Sequence, residues 1–157
     1  MKIILMVTGR TRDEALRTLT DRYTDRIARY VPFQLLELPD VRTTRTTTEA
    51  SQKQAEGTQM LRQIAPGDYV VLLDEHGREY TSRDFAAFLD RKMASISRNI
   101  IFVVGGPYGF SDEVKKRADS LLSLSQMTFS HEMVRPFFAE QIYRAMTILR
   151  GEPYHHD

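Results

Sequence analysis

Three stretches of this sequence pass from an apolar run directly into glycine, acidic or hydroxyl residues. They are Leu72-Leu73-Asp74-Glu75-His76-Gly77, Val104-Gly105-Gly106-Pro107-Tyr108-Gly109 and Leu124-Ser125-Gln126-Met127-Thr128-Phe129. In an open α/β sheet, ligands collect beyond the carboxyl ends of the strands, and glycine lets backbone approach a flat or polyanionic ligand closely. The glycine-rich stretch lacks the dinucleotide fingerprint, and no Gly-Lys-Ser/Thr phosphate loop occurs anywhere in the chain. Two readings stay open: a pocket that holds a nucleoside through backbone groups, or a plain tight turn between strand and helix.

The histidines are His76, His131, His155 and His156, and no pair has the helical spacing of a zinc site. His76 reads equally as a solvated loop residue. The tail Pro153-Tyr154-His155-His156 offers rings that can stack on and hydrogen-bond a nucleobase. Glu140 and Arg144, four apart on a helix, read as a surface ion pair of little worth. Arg135, Arg144, Arg150 and the run Lys115-Lys116-Arg117 fall in the last third, while Arg42, Arg45, Lys53 and Arg62 flank a threonine-rich loop. Either group could face RNA phosphates or simply be solvated.

These residues need elements to position them. Ile3–Val7 is a continuous apolar run, the pattern of a strand buried on both faces. Thr11, three residues before Glu14, predicts a capping box for a helix carrying Leu16, Leu19, Tyr23, Ile27 and Tyr30. Phe33–Leu38 predicts a strand, Thr43–Thr48 an exposed loop and Glu49–Ile64 a helix with a thin apolar face. Tyr69–Leu73 predicts a third strand, and Thr81 with Asp84 caps a helix through Ser97. Asn99–Val104 and Ser120–Ser125 predict two further strands around a short helix opened by Ser111. A last helix over about His131–Leu149 carries a broad apolar stripe that includes Phe137, Phe138 and Ile142; it is buried within one subunit or serves self-association. Strands separated by helices give an α/β single domain over 1–157: a mostly parallel sheet with helices on both faces.

Composition sets the outer limits. Hydrophobic residues make up 41% and charged residues 27%, enough for a buried core. The formal net charge is +1, so charge alone does not announce a nucleic-acid binder. Cysteine is absent, which excludes disulfides, thiolate metal sites and cysteine nucleophiles. No apolar run approaches the roughly 18 residues of a membrane span. The expectation is a cytoplasmic protein with no metal.

Taken in order, the first two stretches, Glu140-Gln141-Ile142-Tyr143-Arg144-Ala145 and the terminal Gly151-Glu152-Pro153-Tyr154-His155 resemble the large-subunit rRNA methyltransferase H family, a branch of the SPOUT methyltransferases. The resemblance spans the whole chain. It implies a C-terminal trefoil knot, S-adenosylmethionine as methyl donor, a homodimer, and methylation of N3 of a pseudouridine in 23S rRNA on the assembled 70S ribosome. It assigns donor binding to Leu73, Gly105, Leu124, Ser125, Gln126, Met127, Thr128 and Phe129. Tyr154 and His155 would hold the base, with His155 accepting the N3 proton, and Arg144, with His131 and Glu140, would orient the base or the tail. His156 stands where the family often has Lys or Arg, replacing a permanent charge with one that titrates. The rivals are a SPOUT enzyme for another rRNA site or tRNA, a non-catalytic ribosome-binding factor, and a flavodoxin-like nucleotide-binding regulator.

Overall fold

The two most apolar runs become neighbouring strands at the heart of a sheet, which is why both faces of each are buried. The computed structural model describes residues 1–156. Its elements are β1 (Ile3–Thr8), α1 (Glu14–Ile27), β2 (Phe33–Leu38), α2 (Glu49–Arg62), β3 (Tyr69–Glu79), α3 (Ser82–Ser95), β4 (Ile100–Val104), α4 (Asp112–Arg117), β5 (Ser120–Ser123) and α5 (Val134–Leu149). The strands lie in the order β2-β1-β4-β3-β5, and every pairing is parallel.

Alternation along the strands divides the core into two layers. Ile3, Leu5 and Val7 of β1, with Ile100, Phe102 and Val104 of β4, pack under α1, α3 and α5. Phe102 and Phe138 of α5 meet there with ring centroids 4.8 Å apart. Ile4, Met6, Ile101 and Val103 point the other way, toward Met60 of α2 and Val114 of α4.

Local sequence signals explain most boundaries. Thr81 accepts from Asp84 N, and Ser111 accepts from Val114 N. Thr48 and Ser51 form a reciprocal capping box at α2. The expected cap at Thr11 is wrong: Asp13 caps α1 by accepting from Leu16 N at 3.1 Å. Thr11 is buried instead, and its hydroxyl accepts from Arg135 Nη1 at 2.9 Å. Other helix ends fall two or three residues inside the expected limits. At α5 the difference is a turn in which Ser130 Oγ accepts from Glu132 N and Met133 N.

β3 is longer than Tyr69–Leu73. It continues to Glu79 with a break in register between Leu73 and Arg78, and Leu122 of β5 pairs with both of those residues. The excursion 74–77 is therefore a bulge within β3 that returns the strand to the same point of β5. Gly77 permits this closeness, since a Cβ there would lie 2.6 Å from the backbone of Leu121 and Leu122.

Candidate functional site

β3, β4 and β5 are adjacent, so the three stretches after Leu73, Val104 and Ser123 converge at one end of the sheet. They enclose a cleft of about 570 Å³. Leu73, Gly105, Leu124, Ser125, Met127, Thr128 and Phe129 line it. Gln126 is not among the lining residues; it is exposed at the tip of a turn in which Ser125 Oγ accepts from Met127 N at 3.0 Å.

Charges ring the opening: Lys53 and Lys115 on one side of the balance, Asp74 and Glu75 on the other, with His76 and His131. The His76 side chain is 80% exposed, as its solvated-loop reading expects, and its Nδ1 lies 2.9 Å from Asp74 Oδ1. Lys53 shows no special signal in the sequence, because its place depends on how α2 lies against the glycine loop.

That contact involves a second residue the sequence did not expose. Glu56 of α2 is 4% exposed, and its Oε1 has no hydrogen-bond partner. Burial pushes its carboxyl above the ordinary value, opposed by a hydrogen bond from Gln52 and supported by the charge of Asp40. A Cβ at Gly106 would lie 2.5 Å from Glu56 Oε1, so any larger residue there would force the Glu56 carboxyl to move. The available signal was spacing: Glu56 stands four before Met60, which is buried on the same helix.

The tail residues form a separate cluster, none of them lining the cleft. Glu140 Oε1 accepts from Arg144 Nη2 at 2.6 Å and from Tyr154 Oη at 2.8 Å. Arg144 lies over the Tyr154 ring, 4.8 Å from its centroid, and Tyr154 meets Tyr143 edge-on. Burial pushes the Tyr154 hydroxyl well above its ordinary value, and hydrogen bonds with Tyr23 and Glu140 add to the shift. The Glu140–Arg144 pair is thus no isolated surface bridge; it is the base on which the tail folds back.

Arg135 departs furthest from expectation. Instead of facing RNA it is fully buried, donating to Thr8 O, Gly9 O, Thr11 Oγ1 and His131 O at 2.9–3.1 Å. Glu37 Oε2 lies 3.4 Å away. Burial lowers its pKa, with Glu37 opposing, yet a guanidinium stays charged in proteins. Arg117 is likewise engaged, donating to Ala65 O and Asp68 O. On α5, most of the expected stripe is buried, but Phe137 is 50% exposed beside Phe129, with Met127 and Met133 exposed nearby in sequence. Among the described residues no His/Cys/Asp/Glu group is arranged to hold a metal ion, and no helix is long and apolar enough to cross a membrane.

A parallel α/β sheet with a cleft built from three consecutive strand ends is matched over residues 1–155 by the family model described as "Predicted SPOUT methyltransferase". The class is therefore that of the SPOUT methyltransferases. Within it, the ribosomal RNA large subunit methyltransferase H of Parabacteroides distasonis is 49% identical over 157 residues, covering 100% of both chains. The protein of the same name from Porphyromonas gingivalis is 50% identical over 157 residues, again covering 100% of both. This chain belongs to that methyltransferase H family. Among solved structures, the SpoU methyltransferase AviRb from Streptomyces viridochromogenes, in complex with AdoMet, has 9% identity and a TM-score of 0.46, covering 96% of this chain and 61% of that one.

Proposed function

We propose that this protein methylates N3 of a pseudouridine in 23S rRNA, using S-adenosylmethionine, as a cytoplasmic homodimer acting on the assembled 70S ribosome. The observation that carries this reading is the cleft. Seven of the eight residues that the family resemblance assigns to the donor line one cavity, formed by segments distant in sequence. Its residues suit the donor: bare backbone at Gly105 and Gly106 can flank a flat adenine, while Lys53, Lys115, Asp74 and Glu75 can pair with an amino-acid moiety. S-Adenosylmethionine supplies, when bound, an electrophilic methyl group on a sulfonium.

The chain's own task is to hold the base and manage its proton. As nitrogen bonds to carbon, the N3 proton has to leave. Arg144 Nη1 lies 3.0 Å from His155 Nδ1. A guanidinium only donates, so Nδ1 accepts and the neutral ring carries its proton on Nε2. We assign the N3 proton to His155, whose ring Arg144 positions. Tyr154, anchored on Glu140, gives the base a stacking face. The tail cluster and the cleft share no lining residue, and exposed Phe129 and Phe137 provide an apolar surface beside the cleft. A second copy seated on that surface brings its tail to the first copy's cleft.

The test is transfer of labelled methyl from S-adenosylmethionine to ribosomes lacking the modification, with separated subunits and tRNA in parallel. Label confined to 23S rRNA of assembled ribosomes is expected. Label in tRNA would change the substrate, and no label despite verified donor binding would leave a non-catalytic ribosome factor.

A further inference from the structure

Glu56 has no part in the chemistry described so far, and its setting is costly. Its carboxyl is 4% exposed at the residue level, and Oε1 lacks a partner. A buried unpaired acceptor is destabilising unless something compensates it. α2 cannot simply retreat to relieve the group, because the next residue, Gly57, is packed against Ser111 and Val114 at the start of α4. The carboxyl instead rests on the Cα of Gly106, both oxygens lying within 2.6 Å of where a Cβ would stand. Gly106 itself lines the cleft. Bare backbone is therefore what separates this acid from whatever the cleft holds.

We propose that Glu56 is a specificity-determining residue: from behind the Gly106 backbone, its carboxylate favours the cationic sulfonium donor over the neutral thioether product. The inference rests on the donor reading of the cleft. Methyl transfer removes one positive charge from the bound molecule while leaving its adenosine and amino-acid parts unchanged. Contacts to those shared parts hold donor and product alike. A negative charge in a poorly solvated position distinguishes them. Burial disfavours the charged form of Glu56, so its carboxylate is favoured when a cation lies across the Gly106 backbone and not when the neutral product does. The charges on the rim, Lys53 and Lys115 against Asp74 and Glu75, are of both signs and set no such preference by number.

The experiment is calorimetric titration of the full-length protein with S-adenosylmethionine and, separately, S-adenosylhomocysteine. In Glu56→Gln the product affinity is expected to stay within about twofold, while the donor affinity falls by a factor on the order of ten. Glu56→Asp keeps the charge and loses the fit, so both affinities shift but their ratio survives. Should Glu56→Gln fail to give a cooperative melt, Glu56→Met supplies an uncharged side chain suited to burial, with the same expected loss of ratio. An unchanged ratio in the uncharged variants, or equal weakening of both ligands, overturns the proposal and leaves Glu56 as packing. If wild-type protein binds neither ligand, the donor reading falls and this inference falls with it.

Discussion

Arg144 holds His155 by its Nδ1 atom, at 3.0 Å, while the same guanidinium is fixed by Glu140 at 2.6 Å. Arg144 therefore sets the orientation of the imidazole ring. Replacing His155 with alanine is expected to lower single-turnover methyl transfer by about a hundredfold or more. Donor affinity by titration should stay within about twofold of wild type, because the tail does not line the cleft. Equal loss of both would place the tail on the donor side.

Glu140→Ala removes the shared acceptor of Arg144 and Tyr154. A charge-assisted network of this kind is worth about 1–3 kcal/mol, to be read as a lower urea midpoint. Faster hydrogen exchange at 152–156 should accompany it, and Glu140→Gln should fall between the two.

Arg135→Ala removes the guanidinium from the carbonyls of Thr8, Gly9 and His131, and removes the cation beside Glu37. A loss of about 3–5 kcal/mol in chemical denaturation is expected. Lysine should not restore it, since an ammonium cannot reproduce the planar fork that reaches these acceptors. Recovery by Arg135→Lys would mean that charge alone matters here.

Gly106→Ala drives a methyl group into the Glu56 carboxyl. The strain of overpacking, about 1–3 kcal/mol, should appear as lower stability together with weaker donor binding. The double variant Gly106→Ala/Glu56→Ala should recover much of the stability, whereas strictly additive losses would show that the two residues do not meet.

Glu132 ties two loops together by accepting from Arg12 N at 2.7 Å and Asp13 N at 3.1 Å. The Asp13 amide, then that of Arg12 against some desolvation, holds its carboxyl below the ordinary value of 4.5. A lowered folded pKa means that the folded protein binds this proton less tightly than the unfolded chain. Its stabilisation is present above the unfolded value and disappears as pH falls through the folded one. The stability gap between wild type and Glu132→Gln should therefore be open at neutral pH and close in acid. A gap of constant size from neutral pH down through the carboxylate range would refute the linkage.

What could be read from the sequence depended on whether a residue's partner lies nearby in the chain. Thr81 and Ser111 cap helices three residues away, and the local pattern found them both. The apolar runs gave the strands and, through their ends, the cleft. Arg135 and Thr11 were misread because their partners lie more than a hundred residues apart, so nothing local marks the arginine as buried or the threonine as its acceptor. Glu56 escaped for a similar reason: only the packing of α2 against the glycine loop turns an ordinary helical glutamate into a buried one. The eight residues proposed for the donor were assigned by family resemblance and not by spacing, and the cleft gathers all of them except Gln126.

β5 is four residues long and lies at the edge of the sheet. Such a strand is ordinarily the first part of a sheet to fray and a place where foreign strands attach. Here the single residue Leu122 is gripped by β3 both before and after the 74–77 excursion. Peeling β5 away must break both attachments, so this edge strand is held at two points along β3. The cleft wall that follows it, residues 124–129, consequently hangs from an anchor and not from a loose end.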